Sequence, residues 1–292
     1  MPLVRRRKPS LTILDATLLA RIPWLVHGFS TRPGGVSQAY GGHVLNLGFT
    51  RQDSRQAVLH NRNIFLRELG ATVKHKAWPL IALRQIHSDI IHRIVGKTEE
   101  PLTGDGLITD TPGLLLAVLT ADCLPVILVA RKMRAVGVFH AGWRGTVKRI
   151  VEKGVGEMRR WFGTQPSDLL AAIGPGIASC CFEVGPEVRE QFLARFIYGQ
   201  ELFREVKDSE PIREKYPLLF LTARAPGHSD LPRKIFLDLV EANRRQLLDT
   251  GVPARNITIF PLCTVCRTDL LFSHRAEKGD TGRMMAAVGI RP

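Results

Sequence analysis

Three short apolar runs rich in Val, Ile and Leu lie close together in the middle of the chain. They span residues 114–119, 124–130 and 135–139. Runs of this length and composition are typical of strands that are buried on both faces. Arg131 and Lys132 supply a turn between the last two runs, which predicts a hairpin. The core of the protein is therefore expected to form around a sheet of buried strands.

Helical patterns follow and precede these runs. Residues 146–162 place apolar side chains three or four positions apart and are followed by Gly163, which predicts the best-defined helix of the chain. A second helix is predicted from Ser54 or its neighbour Asp53 to about Leu69. Helices and strands do not alternate strictly, which favours a mixed sheet. We predict the α/β class, with a single-domain mixed sheet flanked by helices and a metal site at the strand ends.

Weaker patterns complete this prediction. The apolar character of the segments and the Gly and Pro residues that bound them suggest further elements. The predicted strands cover residues 25–31, 80–86, 169–173, 257–260 and 284–290, and further helices begin at Pro186 and at Asp238.

Composition limits the domain organisation and the partners. The chain has 292 residues, of which 45% are hydrophobic, so it can bury one large core. No linker divides it, and we predict a lead-in over residues 1–24 and one catalytic domain over residues 25–292. The net charge of +14 favours acidic partners such as phosphate. The dense basic run, residues 5–8, has no interleaved aromatic residues, so we expect no specific nucleic-acid partner.

The sequence also bears on the cellular compartment. No apolar run reaches the roughly 18 residues of a membrane span, and no secretory signal pattern is found. Five cysteines are an odd number, which fits reduced thiols better than a disulfide framework. We therefore expect a cytoplasmic protein without membrane contact, either a monomer or a small homo-oligomer.

Three potential metal ligands lie at the ends of predicted strands. His87 follows the strand over residues 80–86, Cys123 lies in the corner between two strands, and His140 follows the strand over residues 135–139. Residues at strand ends can converge at one edge of a sheet. Two imidazoles and a thiolate suit Zn²⁺, and three protein ligands leave a fourth position open, as in catalytic sites. The sequence therefore predicts a catalytic zinc site.

Two further residues adjoin these ligands. Asp122 precedes Cys123 and is interpreted either as a proton carrier or as a simple turn residue. Arg144 lies four residues after His140, where a strand passes through Gly142 into a helix. Free N–H groups at a helix N-terminus and a guanidinium both suit phosphate. The alternative for Arg144 is an exposed side chain in a tight turn.

A rival interpretation uses only two of the three ligands. Cys123 and His140 could act as the nucleophile and the base of a cysteine hydrolase. That hypothesis leaves His87 unexplained. A nucleobase deaminase of the zinc-dependent H-x-E class is not supported, because no His in the chain has Glu two residues later.

Ordered motifs over about residues 25–290 resemble one known family, the multicopper-oxidase-like laccase-domain, or polyphenol-oxidase, proteins of bacteria, now regarded as purine nucleoside phosphorylases. The early motifs are His27-Gly28-Phe29-Ser30-Thr31-Arg32, Gly34-Gly35-Val36-Ser37, Asn46-Leu47-Gly48, Gln85-Ile86-His87-Ser88 and Gly104-Asp105-Gly106. The later ones are Thr120-Ala121-Asp122-Cys123, His140-Ala141-Gly142-Trp143-Arg144-Gly145, Ile173-Gly174-Pro175, Cys263-Thr264-x-Cys266, Ser273-His274-Arg275 and Thr281-Gly282-Arg283.

The resemblance implies a single-domain α/β enzyme with zinc held by one Cys and two His. The implied reactions are phosphorolysis of adenosine, inosine, guanosine and methylthioadenosine, and deamination of adenosine. The metal ligands that it implies are His87, Cys123 and His140. We further predict catalysis by Asp122 and Arg144, and substrate binding by Ser30, Arg32 and Asn46.

A copper-dependent polyphenol oxidase is the alternative, with copper at the same three ligands and His43, His92 and His274 as additional candidates. One departure from the family pattern is Gly176, because many relatives have Cys after Gly174-Pro175. This change leaves the three predicted ligands intact.

Overall fold

The computed structural model describes residues 3–7, 11–97, 100–207 and 233–292. Its contacts divide the chain into a larger unit, Met1–Ala178 with Leu239–Pro292, and a smaller unit, Ser179–Asp238. In its described residues, the smaller unit contains a three-stranded sheet and one α-helix. In the described residues, no helix has both the length and the apolar character of a membrane span.

The helices and strands are numbered here in chain order. The strands are β1 Leu3–Arg7, β2 Thr12–Ala16, β3 Leu25–Ser30, β4 Pro33–Ser37, β5 Thr72–Val73, β6 Lys76–Ala77, β7 Leu80–Ala82, β8 Ile91–Arg93, β9 Gly106–Thr109, β10 Leu115–Thr120, β11 Leu124–Ala130, β12 Ala135–Ala141, β13 Leu169–Ile173, β14 Glu183–Val184, β15 Phe203–Lys207, β16 Arg233–Leu237, β17 Ile257–Ile259 and β18 Met284–Ile290. The α-helices are α1 Thr17–Ala20, α2 Arg55–Leu69, α3 Trp143–Val147, α4 Ile150–Phe162, α5 Pro186–Arg195 and α6 Leu239–Asp249.

Two six-stranded sheets form the larger unit, in the orders β1-β2-β3-β18-β10-β7 and β17-β13-β11-β12-β9-β8. Antiparallel pairs fill the middle of each sheet, and parallel pairs occur at the edges, β10 with β7, β13 with β17 and β8 with β9. The mixed α/β class is therefore confirmed. The strands form two large sheets where the sequence indicated one, because apolar composition reports that a strand is buried but not which strand it pairs with.

Both sheets contribute to one apolar core. Leu116 and Val118 of β10 belong to the same buried cluster as Ile127 of β11 and Val138 of β12. The predicted hairpin is confirmed, because β11 and β12 pair antiparallel along their full lengths. This packing fixes the ends of β10, β11 and β12, and these ends carry the chemistry described below.

The helix around residues 55–69 is confirmed at both ends. The Ser54 hydroxyl accepts a hydrogen bond from the Ala57 amide at 3.0 Å, and Gly70 adopts a left-handed conformation at φ 73°. Such a cap at the start and a glycine at the stop satisfy backbone groups that the helix itself cannot pair.

The helix predicted over residues 146–162 is wrong in its continuity. It begins earlier as α3, and it breaks at Arg149, which adopts a left-handed φ of 63°, before α4 continues. The strand predicted over residues 80–86 is also too long, because β7 ends at Ala82. The apolar pattern continues through Arg149 and beyond Ala82, so the sequence pattern alone reveals neither the helix break nor the early end of β7. The residues after Ala82 form the loop that carries His87.

Candidate metal centre

The structure brings the three predicted ligands together. His87 lies in the loop after β7, Cys123 in the corner between β10 and β11, and His140 near the end of β12. Their ligand atoms all lie within 4.8 Å of one another, and Cys123 Sγ is 3.8 Å from His87 Nε2. Ligand atoms of a tetrahedral zinc site lie roughly 3.5 Å apart, given bonds of about 2.0 Å to nitrogen and about 2.3 Å to sulfur. The two nitrogens and the sulfur therefore lie close enough together to bind a single metal ion of this size.

Asp105 joins the chain segments that carry the two histidines. Its fully buried carboxylate accepts a hydrogen bond from His140 Nδ1 at 2.8 Å and one from the His87 amide at 3.0 Å. The other oxygen accepts from the Ser88 amide at 2.6 Å, from the Ser88 hydroxyl at 2.7 Å and from the Ile86 amide at 3.2 Å. One side chain thus fixes the backbone beside His87 and the ring of His140.

This contact determines which nitrogen of His140 can bind a metal. Because Nδ1 donates to Asp105, Nε2 is left for the ion, and a carboxylate behind a ligand histidine is the usual way to fix its tautomer. Burial alone would raise the pKa of the Asp105 carboxyl, but hydrogen bonds from His140 and Ser88 outweigh it and hold this pKa well below its usual range.

In the sequence, Asp105 appears only within the motif Gly104-Asp105-Gly106, and this role was not predicted. The available signal was an acidic residue between two glycines directly before the buried strand β9.

Cys123 and His140 each shift the pKa of the other. Burial opposes ionisation of both groups, but the attraction between a thiolate and an imidazolium outweighs it. The pKa of the Cys123 thiol falls to about 6, and that of His140 rises to about 9. The contact with His140 therefore favours the thiolate form of Cys123, which is the form that binds metals.

Backbone strain and one side-chain amide shape the loops of the site. His87 and Asp122 adopt positive φ angles of 58° and 96°, which non-glycine residues adopt uncommonly. The Gln85 amide donates to the Leu119 carbonyl at 2.8 Å and accepts from the Leu119 amide at 2.7 Å. This pair of bonds attaches the His87 loop to the strand that leads to Cys123.

Gly142 leaves space for the ligands. A Cβ atom at this position would lie 2.8 Å from Cys123 Sγ and 3.0 Å from His87 Cδ2. Its backbone angles, φ −75° and ψ 169°, are open to any residue. The requirement for glycine here is therefore steric, and it comes from the ligands themselves.

A Gly142→Ala substitution is expected to weaken zinc binding by at least about tenfold, because the added methyl group pushes apart two ligands that must converge within a few tenths of an ångström. Competition titration with a chromogenic chelator measures this change. Gly156→Ala is the matched control, since a Cβ there meets nothing within 4 Å and α4 should gain about 0.5–1 kcal/mol in stability. Equal zinc affinity in the two variants would contradict the steric argument.

The Asp122 carboxylate is occupied by donors from a distant segment of the chain. One oxygen accepts from the Thr264 hydroxyl at 2.6 Å and from the Ser273 hydroxyl at 2.8 Å, and the other accepts from the Arg275 amide at 2.7 Å. The side chain therefore anchors the residues around 264–275 beside Cys123. Its predicted role as a proton carrier stays a prediction.

Arg144 is exposed at the start of α3, directly after Gly142 and Trp143. Its guanidinium carbon lies 4.3 Å from the centroid of the Trp143 ring. This placement agrees with the exposed arginine of a strand-to-helix turn, and phosphate binding by Arg144 stays a prediction.

Two of the three predicted substrate-binding residues, Ser30 and Asn46, are buried, and their side chains form hydrogen bonds within the protein. The Ser30 hydroxyl accepts from the Met285 amide at 2.9 Å. The side-chain oxygen of Asn46 accepts from the Gly48 amide at 3.1 Å and from the Arg283 amide at 2.9 Å. Ser30 thus connects β3 to β18, and Asn46 connects its loop to Arg283, the residue before β18. Substrate contact by Ser30 and Asn46 stays a prediction.

Arg32, the third of these residues, is held by protein groups. It donates to Glu277 Oε1 at 2.8 Å and to the Tyr40 carbonyl at 2.6 Å, and it lies over the Phe272 ring at 5.1 Å. These contacts fix the guanidinium at the edge of an open groove that Tyr40 and Glu277 also line. Its role in substrate binding stays a prediction as well.

Known proteins resemble the chain over nearly its whole length. It is 35% identical to the purine nucleoside phosphorylase of Deinococcus radiodurans over 284 residues, which cover 97% of this chain and 94% of the relative. It is 34% identical to the purine nucleoside phosphorylase YlmD of Geobacillus stearothermophilus, covering 91% of this chain and 90% of YlmD. The crystal structure of that YlmD superposes with a TM-score of 0.78 and 30% identity over the full length of both chains.

A third relative has a different name. The adenosine deaminase RL5 of an unknown prokaryotic organism is 34% identical over 274 residues, which cover 90% of this chain and 93% of the relative. The family model described as multi-copper polyphenol oxidoreductase laccase matches residues 26–291. That range contains all three candidate ligands and Asp105, and the chain belongs to this laccase-domain family.

Proposed function

We propose that this protein is a zinc-dependent purine nucleoside phosphorylase that also deaminates adenosine. The observation that carries the proposal is the convergence of His87, Cys123 and His140, with Asp105 behind His140, in a chain whose relatives are named for these two activities. The proposed substrates are adenosine, inosine, guanosine and methylthioadenosine, with phosphate as the second substrate of phosphorolysis.

The donor set supports zinc over copper. One thiolate and two imidazoles, with room for one more ligand, match catalytic zinc sites. The laccase alternative needs more copper ligands, and His43, His92 and His274 were the available histidines. Within the described residues, no group of potential metal ligands includes any of these three, and His92 Nε2 lies 2.9 Å from the Thr103 carbonyl.

The rival cysteine hydrolase would use the polarised Cys123–His140 pair. The pair alone is compatible with a nucleophile and a base. However, His87 Nε2 lies 3.8 Å from the same sulfur, and this is the arrangement of a third metal ligand. A hydrolase of this kind does not require it, so the third ligand favours the metal enzyme.

The chain's own residues would divide the work as follows. When bound, zinc supplies a Lewis acid beside the substrate. His87, Cys123 and His140 would hold it, and Asp105 orients His140. In phosphorolysis, a phosphate oxygen forms a bond to ribose C1′ while the bond from C1′ to the purine breaks and the purine takes a proton. Arg144, exposed next to Gly142, is the proposed phosphate ligand, and Asp122 is the proposed proton carrier.

The products formed from adenosine test this proposal. Zinc-loaded protein is incubated with adenosine with and without phosphate, and the products are separated by chromatography. We expect adenine only when phosphate is present, and inosine in both reactions. Formation of neither product, or full activity in protein shown by mass spectrometry to contain no metal, would overturn the proposal.

A further inference from the structure

Two arginines meet at one exposed aromatic ring, and none of these three residues has a role assigned above. Phe49 lies just before α2, and Arg55 and Arg62 lie on the first and second turns of that helix. The guanidinium carbon of Arg55 is 4.8 Å from the centroid of the Phe49 ring, and that of Arg62 is 4.4 Å from it. We refer to Phe49, Arg55 and Arg62 as the Phe49 arginine pair.

The two positive charges are not balanced by the protein. Within the described part of the chain, neither guanidinium forms an ion pair, and the polar contact of Arg62 is a hydrogen bond from Nε to the Leu47 carbonyl at 2.9 Å. The first turn of α2 contains no acidic residue and begins with Arg55 itself, although a helix N-terminus disfavours positive charge.

Burial increases the cost of this arrangement. Arg62 is half-buried, and burial together with repulsion from Arg55 lowers its pKa to about 10. Asp53, two residues before Arg55, is already bonded to the Ser37 hydroxyl and the Asn46 amide. The nearest acidic residue in sequence is therefore occupied elsewhere.

A bound anion would remove the repulsion. Guanidinium groups present parallel N–H donors that match the oxygens of phosphate, and stacking on an aromatic ring holds their planes in place before a ligand arrives. Phe49 is 48% exposed and Arg55 is exposed, so an anion can approach the ring and the arginines from solvent. A phosphomonoester carries close to two negative charges at neutral pH, which equals the charge of the pair.

We propose that the Phe49 arginine pair is a binding site for a phosphate dianion, either inorganic phosphate or the terminal phosphate of a small phosphomonoester. The site is defined by its own residues and does not depend on the proposed nucleoside chemistry. Binding is therefore measured without nucleoside turnover.

Arg93 provides a matched control for this site. It also stacks on aromatic rings, with its guanidinium carbon 4.9 Å from the Trp161 ring and 5.5 Å from the Phe162 ring. Unlike the Phe49 arginine pair, it has a carboxylate partner, Asp110, at 3.6 Å. Stacking on an aromatic ring is thus present at both places, whereas a carboxylate partner is present beside Arg93 alone of these three arginines.

Isothermal titration of the zinc-loaded protein with inorganic phosphate at low ionic strength tests the proposal. Arg55→Ala is the leading variant, because Arg55 is exposed and its loss leaves the fold intact; Arg62→Lys keeps the second charge but removes the planar donor group. We expect each to weaken phosphate binding by about tenfold or more, because each variant loses hydrogen bonds between the guanidinium and the phosphate oxygens. Arg93→Ala is expected to bind like the wild type.

Further arms separate this site from the proposed active site and identify the source of the phosphate. Binding that is unchanged in Arg55→Ala and in Arg62→Lys but lost in Arg144→Ala would overturn the proposal. Acetate that binds as tightly as phosphate would also overturn it, because a monoanion does not match two guanidiniums. If adenosine 5′-monophosphate binds more tightly than inorganic phosphate, and this difference is lost in Arg55→Ala, the ligand of the site is a phosphomonoester. If the two bind with equal affinity, the ligand is free phosphate.

Discussion

A His140→Ala variant is expected to purify with almost no zinc and to lose about 99% or more of the phosphorolysis and deamination activities of the wild type. The substitution leaves only His87 and Cys123 as ligands and removes the ring that Asp105 holds. A Lewis acid contributes several kcal/mol of transition-state stabilisation, and each 1.36 kcal/mol corresponds to a factor of ten in rate. Metal analysis of the purified protein and steady-state assays measure the two losses.

A second histidine variant controls for the substitution itself. His60 is exposed on α2 and belongs to no group of potential metal ligands among the described residues, so His60→Ala should keep both the zinc and the activity. Circular dichroism of both variants shows whether they remain folded. A folded, metal-free His140→Ala protein with wild-type activity would contradict the assignment of the metal centre.

Replacing Asp105 by Asn is expected to reduce both stability and metal affinity. The carboxylate accepts five hydrogen bonds, from the amides of Ile86, His87 and Ser88, from the Ser88 hydroxyl and from His140. An amide side chain turns one acceptor into a donor, so at least two buried donors lose their partner. At about 1–3 kcal/mol for each unpaired group, we expect the free energy of unfolding to fall by about 2–5 kcal/mol. Zinc affinity should fall by about 10–100-fold.

Denaturant unfolding of metal-free protein and zinc titration measure these two effects. The difference in stability should also depend on pH. Because the pKa of Asp105 is lowered in the folded state, its contribution is present above the usual carboxyl range, about pH 4, and is lost as the pH falls further. The wild type and Asp105→Asn should therefore converge in stability in acid.

Asp110→Asn is the control for the Asp105 variant. Asp110 is exposed and pairs with Arg93 at 3.6 Å, so its replacement should change stability by less than about 1 kcal/mol. A similar loss in both variants would show that Asp105 has no special structural role. An unchanged zinc affinity in Asp105→Asn would show that it does not position His140.

The three ligands could be predicted from the sequence because their chemistry and their location agree. His and Cys are residue types that commonly bind zinc. The apolar runs predict the strands, and the ends of these strands bring the three ligands together. Asp105 was missed because three of its donors are backbone amides of residues 86–88, and amide donors leave no trace in residue type. Local pattern identifies a ligand more readily than the group that orients it.

Family motifs gave the location of Ser30 and Asn46 but not their structural role. Both belong to ordered motifs, and both prove to be buried and bonded to backbone amides near β18. A motif records that a residue type is needed, whether for a ligand or for the packing of distant segments. The break at Arg149 escaped prediction for a related reason, since a single left-handed residue does not interrupt helical periodicity.

The ligands of the metal centre come from three separate parts of the chain, and this has a thermodynamic consequence. The unfolded chain brings no two of them together locally, so an ion that needs all three binds the native state in preference to the unfolded one. By mass action, zinc at a free concentration one hundred times its dissociation constant would then raise the free energy of unfolding by about 2.7 kcal/mol. Metal supply would thus act on the fraction of the protein that is folded as well as on its chemistry.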